Sequence, residues 1–177
     1  MSASLVSRSA VEPINLQQAK DYLRIETDDE DALVTRLITS CRLELEKWLK
    51  VAFVTQAWRV LVDVFDTPVY APIMPVTAVV VTAIDSEGAY TDVIDAADYS
   101  VDRNTGRVRP KTVIRGADDF DGVQIDFTST VTALDDDLKT ALLELVAYRY
   151  QNRGNIEASA IPATVKAMVQ HLRHVSV

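Results

Sequence analysis

The 177-residue sequence contains one cysteine, five glycines and two histidines, and these scarce residues limit its chemistry. The single cysteine, Cys41, excludes a disulfide within the chain, so the fold needs no oxidising compartment. The scattered glycines form no glycine-rich loop for phosphates. No apolar run approaches the roughly 20 residues that a helix needs to cross a bilayer, and the first residues lack the apolar block of a secretion signal. We therefore expect a product assembled in the cytoplasm, with no membrane partner.

The two histidines are the main candidates for metal or acid–base chemistry. His171 and His174 are three residues apart, so a helix would place them side by side. No cysteine or third histidine lies near them in the sequence to complete a metal site. Cys41 falls on an apolar stripe and is expected in a core rather than as a nucleophile. We expect no metal, no cofactor and no catalytic residue, although a small enzyme that uses both histidines remains an alternative.

Charge gives a second limit. The formal net charge is −8, which argues against loose binding to nucleic acid. A local basic run interrupts an otherwise acidic region and is either a pairing surface for a partner or a neighbouring subunit, or simply solvated; it consists of Arg103, Arg107, Arg109, Lys111 and Arg115.

Residues 15–54 have the periodicity of helices. Asn15 and Gln18 have the spacing of a capping box at the start of a short helix. A longer apolar stripe follows at i, i+3, i+4, i+7 spacing and predicts a long helix. On that helix, Arg42 and Glu46 are four residues apart, which suits a solvated surface pair. The stripe consists of Val34, Leu37, Ile38, Cys41, Leu45, Trp48 and Leu49.

The acidic stretch TDDEDALV, residues 27–34, precedes this long helix. Thr27 and Glu30 have the form of a second capping box, and Asp28 and Asp29 would then occupy the first helical turn. A calcium loop would need alternating ligands and a glycine turn, which are missing. We interpret the stretch as a helix start.

From residue 55 the apolar period changes to two. In TQAWRVLVDVF, Val60 and Val64 are expected on one face, with Leu61 and Phe65 on the other. Further short strands separated by turn residues are predicted in VTAVVVTAI, ADYSVD, GRVRP and GVQIDFTST. Their spacing of about ten residues predicts a small antiparallel sandwich or barrel.

Helical periodicity returns after residue 130. Asp135–Asp137 begin a segment, LKTALLELVAYRYQNRG, that is apolar on nearly every side. Such a helix is either central in its bundle or covered by another subunit. Gly154 is expected to end it, and Pro162 to open a last, mobile helix. The sequence therefore predicts an α+β protein. Both chain ends form a helical bundle (residues 15–54 and 131–177), a β domain (55–130) is inserted, and residues 1–14 form a loosely ordered arm.

The order of these segments resembles the head–tail connector, or adaptor, family of long-tailed bacteriophages and phage-like gene transfer agents. The resemblance is strongest over residues 16–49, where a short helix, an LRI break, an acidic stretch and a long helix follow one another. It continues at TQAWRVLVDVF, PVTAVVVTAIDSEGAY and ADYSVD, and returns at LKTALLELVAYRYQNR and IPATVKAMVQHLR. Members often have a glycine just after the long helix, where this chain has Lys50.

This resemblance implies a structural virion protein rather than an enzyme. About twelve copies would form a ring beneath the portal, at the neck of the particle. The ring would extend a channel through which DNA passes without sequence-specific binding, and would meet a stopper or other tail protein. Residues 155–177 would dock on the portal, with Lys166, His171, Arg173 and His174 as contacts. Tyr148, Arg149, Tyr150, Arg107 and Arg109 are candidate contacts between subunits.

Two alternatives remain at this stage. The chain could be another neck component, such as a stopper or tail-completion protein. It could also be a ligand-binding β module, which an exposed Trp58 or Tyr90 on a sheet face would favour.

Overall fold

The computed structural model describes residues 2–84, 90–115, 122–153 and 160–174. Helices and antiparallel sheets are both present, so the α+β prediction is confirmed. The chain divides into two compact units. The β unit contains the residues up to Ser9 and Thr55–Thr130, and the helical unit contains Ala10–Val54 and Val131–Val175. Within the described ranges, no helix is long and apolar enough to span a bilayer.

The helical unit is built on α1 (Leu16–Leu23), α2 (Asp31–Leu49), α3 (Asp136–Gln151) and α4 (Ala163–Val169), with a 3-10 turn at Gln170–Leu172. Helix α3 packs against α1, α2 and α4 and is therefore central. This packing explains its apolar sequence without a second subunit. The predicted end of α3 at Gly154 lies outside the described residues. The core of the unit includes Val34, Ile38, Cys41, Leu45, Leu138, Leu142, Leu145, Val165 and Val169.

The local signals at the two first helices differ in outcome. The capping box of α1 is confirmed, because Asn15 and Gln18 exchange two hydrogen bonds of 2.8 Å. The predicted capping box of α2 is wrong, because α2 begins at Asp31 and its N-cap, Glu30, makes no side-chain hydrogen bond to the backbone of the first turn. At the other end of α2, Lys50 adopts a left-handed conformation with φ of 60°. Lysine thus takes the conformation that glycine adopts more easily.

The described residues of the β unit form three antiparallel sheets. The largest has the order β1 (Ser2–Arg8), β2 (Gln56–Val62), β10 (Val123–Ser129), β5 (Ala78–Ile84) and β6 (Tyr90–Val93). Strand β3 (Val64–Phe65) pairs with β9 (Ile114–Arg115). Strand β8 (Arg107–Pro110) lies between β4 (Val69–Tyr70) and β7 (Tyr99–Asp102). The core of the unit includes Val60, Phe65, Val69, Val81, Val108, Val123, Ile125 and Phe127.

The prediction of a loosely ordered arm over residues 1–14 is wrong. Ser2–Arg8 form β1, which pairs with β2 along its length, with a register shift between Leu5 and Ser7. The side chains of residues 3–7 are exposed, so composition gave no burial signal for this strand. Backbone pairing, rather than side-chain packing, holds it in the sheet.

The predicted alternation of β2 ends at Val62. A bend at Asp63 separates β2 from β3, and the chain turns to pair with β9. Phe65, expected on the face opposite Val60, is therefore fully buried in the same core. Leu61, which was predicted to share a face with Phe65, is 40% exposed.

Candidate subunit-contact surfaces

The described part of the C-terminal segment, residues 160–174, is packed on the helical unit rather than mobile. Val165 and Val169 of α4 are buried in the core. The backbone N–H of His174 donates a hydrogen bond of 2.9 Å to the carbonyl of Leu49. The prediction of a mobile last helix is therefore wrong for the described part of this segment, residues 160–174.

Trp48 of α2 joins α4 to the long helix. The ammonium of Lys166 lies 6.0 Å from the centre of the Trp48 ring, and the guanidinium of Arg173 lies 5.4 Å from it. A cation over an aromatic face is attracted by the ring's negative π cloud. Two of the four predicted portal contacts thus contact Trp48 of their own chain. His171 is exposed, on the 3-10 turn.

Among the described residues, neither His171 nor His174 belongs to a group of side chains that could hold a metal ion. Over that part of the chain, no three His, Cys, Asp or Glu side chains come together with the geometry of a metal site.

The acidic stretch before α2 binds two cationic groups of its own unit. The ammonium of Lys20, which is buried, lies 2.5 Å from Asp28 and 2.8 Å from Asp31. The hydrogen bond to Asp28 raises the pKa of Lys20 and lowers the pKa of Asp28. The acids therefore neutralise a lysine of α1, which the spacing did not reveal because Lys20 lies outside the motif.

Glu30 connects the same stretch to the end of α3. Its carboxylate accepts hydrogen bonds from the Tyr150 hydroxyl and from the Arg153 guanidinium, which lower its pKa in that order. The Arg153 guanidinium also stacks 4.4 Å from the centre of the Tyr150 ring. Tyr150, a predicted subunit contact, is thus partly engaged within its own chain.

The neighbouring predicted contacts on α3 are half-buried. Arg149 donates hydrogen bonds of 2.8 and 2.7 Å to the two carboxylate oxygens of Glu44 on α2. The carbonyl of Tyr148 accepts the backbone N–H and the side-chain amide of Asn152 at the helix end. A role for Tyr148, Arg149 and Tyr150 between subunits stays a prediction.

Helices α1 and α3 border a cleft of about 660 Å³. The Tyr22 hydroxyl donates a hydrogen bond of 2.6 Å to Glu144 across it. This bond, followed by burial, raises the pKa of Tyr22 to about 12. Sequence reasoning missed this cleft, although an exposed tyrosine on a short amphipathic helix was a possible signal. The lining includes Asp21, Tyr22, Arg24, Glu144, Ala147 and Gln151.

In the β unit, Arg107 and Arg109 lie on one face of β8, opposite the buried Val108. Arg107 pairs in register with Asp102 on β7 and with Tyr70 on β4. The Thr105 hydroxyl, the largest influence, and backbone N–H groups of the turn hold the pKa of Asp102 below its usual value. Arg109 is exposed, opposite Ser100. The two arginines share a surface, but their role as subunit contacts stays a prediction.

Trp58 packs partly against the β core. An exposed position on a sheet face would have made it a candidate ligand contact. Its indole N–H donates a hydrogen bond of 3.0 Å to Gln56. The side chain of Tyr90 lies outside the described part of the structure. The position of Trp58 therefore gives the ligand-binding alternative no support.

Burial of Cys41 leads to a testable chemical prediction. Its side chain is buried in the helical core, and burial raises its pKa from 9.0 to about 12. Because the thiolate is the reactive form, the native thiol should react roughly a thousandfold more slowly than an unfolded one near pH 8. We expect slow labelling by a disulfide reagent in buffer and rapid labelling in urea. Rapid labelling of the native chain would contradict the buried position.

Comparison with known proteins identifies the family. A sequence model described as head completion protein matches residues 12–175. A search of curated proteins found no match.

Solved structures include chains of the same fold. One is in the neck of an empty GTA particle computed with C6 symmetry, with a TM-score of 0.78 and 23% identity. Another is in the virion of a native gene transfer agent (GTA) particle, also with a TM-score of 0.78 and 23% identity. A third, from the neck of the native GTA particle computed with C12 symmetry, has a TM-score of 0.77 and 22% identity. Each match covers 100% of this chain and 97% of the other. At such identities the likeness is one of fold. The family match, which covers both units, shows that the chain belongs to the head completion protein family.

Proposed function

We propose that the protein is a head–tail connector subunit, which forms a ring of about twelve copies beneath the portal of a phage or gene transfer agent particle. The observation that carries this proposal is the head completion family match over residues 12–175. The fold likeness to chains from the neck of GTA particles, one of them computed with C12 symmetry, supports it. The ring works by shape and stacking, and extends the DNA channel towards the stopper or tail.

The architecture proposed for this role is a helical bundle made by Ala10–Val54 and Val131–Val175, with Thr55–Thr130 of the β unit inserted between its halves. The division of the chain into two compact units supports the insertion of Thr55–Thr130, and β1 joins this β unit from the N-terminal side. In such an arrangement, the C-terminal segment 155–177 docks on the portal through the exposed side of α4 and the 3-10 turn.

His171 is the strongest of the four portal-contact candidates, because it is exposed on that turn. Lys166 and Arg173 have part of their cationic surface over Trp48 and present the rest to solvent. His174 holds the segment in place through its backbone bond to Leu49. The packed α4 therefore presents a preformed surface, which loses less conformational entropy on binding than a free arm would.

The net charge of −8 suits a channel protein. Affinity for DNA comes largely from neutralising phosphates with Lys and Arg, so an acidic wall lets DNA pass without retention.

The proposal is tested by deleting the gene from the parent particle and complementing it. We expect filled heads without tails in the deletion strain, and tailed particles after complementation. Cryo-electron microscopy of the complemented particles should then show a ring of this chain under the portal. Normal tailed particles without the chain, or its absence from the neck, would refute the proposal.

The same assay tests the portal surface. A His171→Glu chain should restore fewer tailed particles than wild type, by at least about tenfold, if this exposed side chain lies in a charge-sensitive interface. The matched control is Glu26→Lys, which alters charge at an exposed site before α2 and should complement fully. Full activity of the His171 variant would remove His171 from the contact set but leave the ring intact.

A further inference from the structure

The outer face of α2 carries only positive charge. Its exposed residues recur at spacings of three and four along the helix and its C-cap, and none is acidic. None of the ion pairs among the described residues uses its three cations. Leu43, in the middle of the face, is 37% exposed. We name this surface the basic stripe, and it consists of Arg36, Ser40, Leu43, Lys47 and Lys50.

The acids of α2 are all engaged elsewhere. Asp31 pairs with Lys20, Glu44 with Arg149, and Glu46 is buried beside Arg42. The basic stripe is therefore uncompensated within its own helix, in a protein whose net charge is −8.

The cleft between α1 and α3 has the opposite character. Its two carboxylates, Asp21 and Glu144, are exposed, and each accepts a hydrogen bond from a neutral donor. Gln17 donates to Asp21 at 2.6 Å, and Tyr22 donates to Glu144 at 2.6 Å. These donors orient the carboxylates without neutralising their charge. We name this surface the acidic cleft; one cation, Arg24, also lines it.

The acidic surface continues along α3. Asp137 and Thr140 lie on the same helix face as Glu144, at spacings of seven and four residues, and both are exposed. The ring of Tyr22, which is 41% exposed, gives the cleft an apolar wall. A basic helix with a leucine at its centre fits such a surface.

The two surfaces lie on opposite sides of the helical unit. Helix α2 packs its buried face against α1 and α3, so its basic stripe points away from both. The cleft opens between α1 and α3, on the side away from α2. Two complementary patches on opposite sides produce head-to-tail contacts, which close into a ring when the rotation between copies allows it.

We infer that neighbouring copies bind each other through these two surfaces, the basic stripe of one copy against the acidic cleft of the next. The inference rests on the proposed ring. Its occupant is a second copy of this chain, and charge complementarity within one chain is the reason. Arg36 and Lys47 are the cations at the centre of the contact, and Asp21 and Glu144 are their acceptors.

Charge exchange between the surfaces tests the inference. One variant reverses the stripe (Arg36→Glu with Lys47→Glu), and another reverses the cleft (Asp21→Lys with Glu144→Lys). Each variant is added alone to particles that carry the portal but lack the ring. The amount of ring formed should be at least about tenfold lower than with the wild-type chain, because like charges then face each other. An equal mixture of the two should recover ring formation, since each variant's reversed surface meets a complementary surface on the other. Wild-type assembly should also weaken as salt rises.

The control changes charge away from both surfaces. Glu26→Lys with Asp29→Lys alters the net charge as much as the cleft variant does, at exposed positions before α2. It should form rings like wild type, and all variants should retain the wild-type circular dichroism spectrum. Normal rings from either reversed variant, failure of the mixture, or loss of rings in the control would each overturn the inference while the connector proposal stood. Absence of rings with the wild-type chain would instead count against the connector proposal itself.

Discussion

Arg42→Ala is expected to lower the free energy of unfolding of the helical unit by about 3–5 kcal/mol, because it removes one partner of a buried ion pair. Glu46 is 3% exposed, and the Arg42 guanidinium donates to it at 3.0 Å. Arg42 also donates to Glu12 at 2.6 and 3.1 Å, which ties the segment before α1 to α2. After the substitution, the backbone N–H of Phe53, at 2.8 Å, would remain near Glu46 but would not supply a positive charge.

The measurement is urea unfolding followed by tryptophan fluorescence in a Trp58→Phe background, so that Trp48 reports on the helical unit. Arg36→Ala is the matched control, since it removes the same side chain from the exposed face of the same helix. Its effect should stay within about 0.5 kcal/mol. Equal effects from Arg42 and Arg36 would show that the buried ion pair contributes nothing measurable.

This network shows where sequence reasoning was limited. The spacing of Arg42 and Glu46 predicted a pair, and the pair exists. The predicted solvated position is wrong, because Arg42 and Glu46 are both buried, and Arg42 also donates to Glu12, thirty residues away in sequence. Helical periodicity identifies which residues share a face, but it does not reveal which distant chain segment covers that face.

The prediction for the acidic stretch before α2 failed for the same reason, since its partners are distant in sequence. Its placement at a helix start was correct, and its interpretation as a capping box was not. Its carboxylates instead form ion pairs: Asp28 with Lys20 on a different helix, and Glu30 with Arg153 past the end of α3. A capping box stabilises a helix by about 1 kcal/mol, which a tertiary ion pair with hydrogen bonds can outweigh.

Long periodic segments were predicted most reliably. Helices α2 and α3 and strands β2, β5 and β10 each have enough residues for a period to be visible. The two-residue strands β3, β4 and β9 do not, and β1 is exposed on both faces. Their existence depends on backbone pairing with partners that are remote in sequence, which no local pattern records.

The segment order, rather than any single motif, pointed to the connector family, and the head completion match over residues 12–175 confirms that assignment. The packing of a connector depends on the order of its helices and strands. The hydrophobic period of each element makes that order visible in the sequence. The acidic cleft was not visible in the sequence, because Tyr22 and Glu144 are 122 residues apart and only the fold brings them together.

The bend after β2 gives the second large effect, because it decides which side chains form the β core. Strict alternation places Leu61 and Phe65 on one face. The chain instead turns at Asp63, and β3 pairs Phe65 with Ile114 of β9, so that Phe65 is 0% exposed. The ring lies among the core residues of the β unit, where a smaller side chain would leave a cavity.

Phe65→Ala is therefore expected to destabilise the β unit by about 3–5 kcal/mol, through lost burial and an unfilled cavity. Leu61→Ala is the matched control, because alternation assigns it to the same face and the structure leaves it 40% exposed. Its effect should be below about 1 kcal/mol. Urea unfolding of a Trp48→Phe chain, in which Trp58 reports on the β unit, separates the two. Similar losses for both variants would restore the alternation and contradict the bend, since a continuous strand would place the two side chains in equivalent environments.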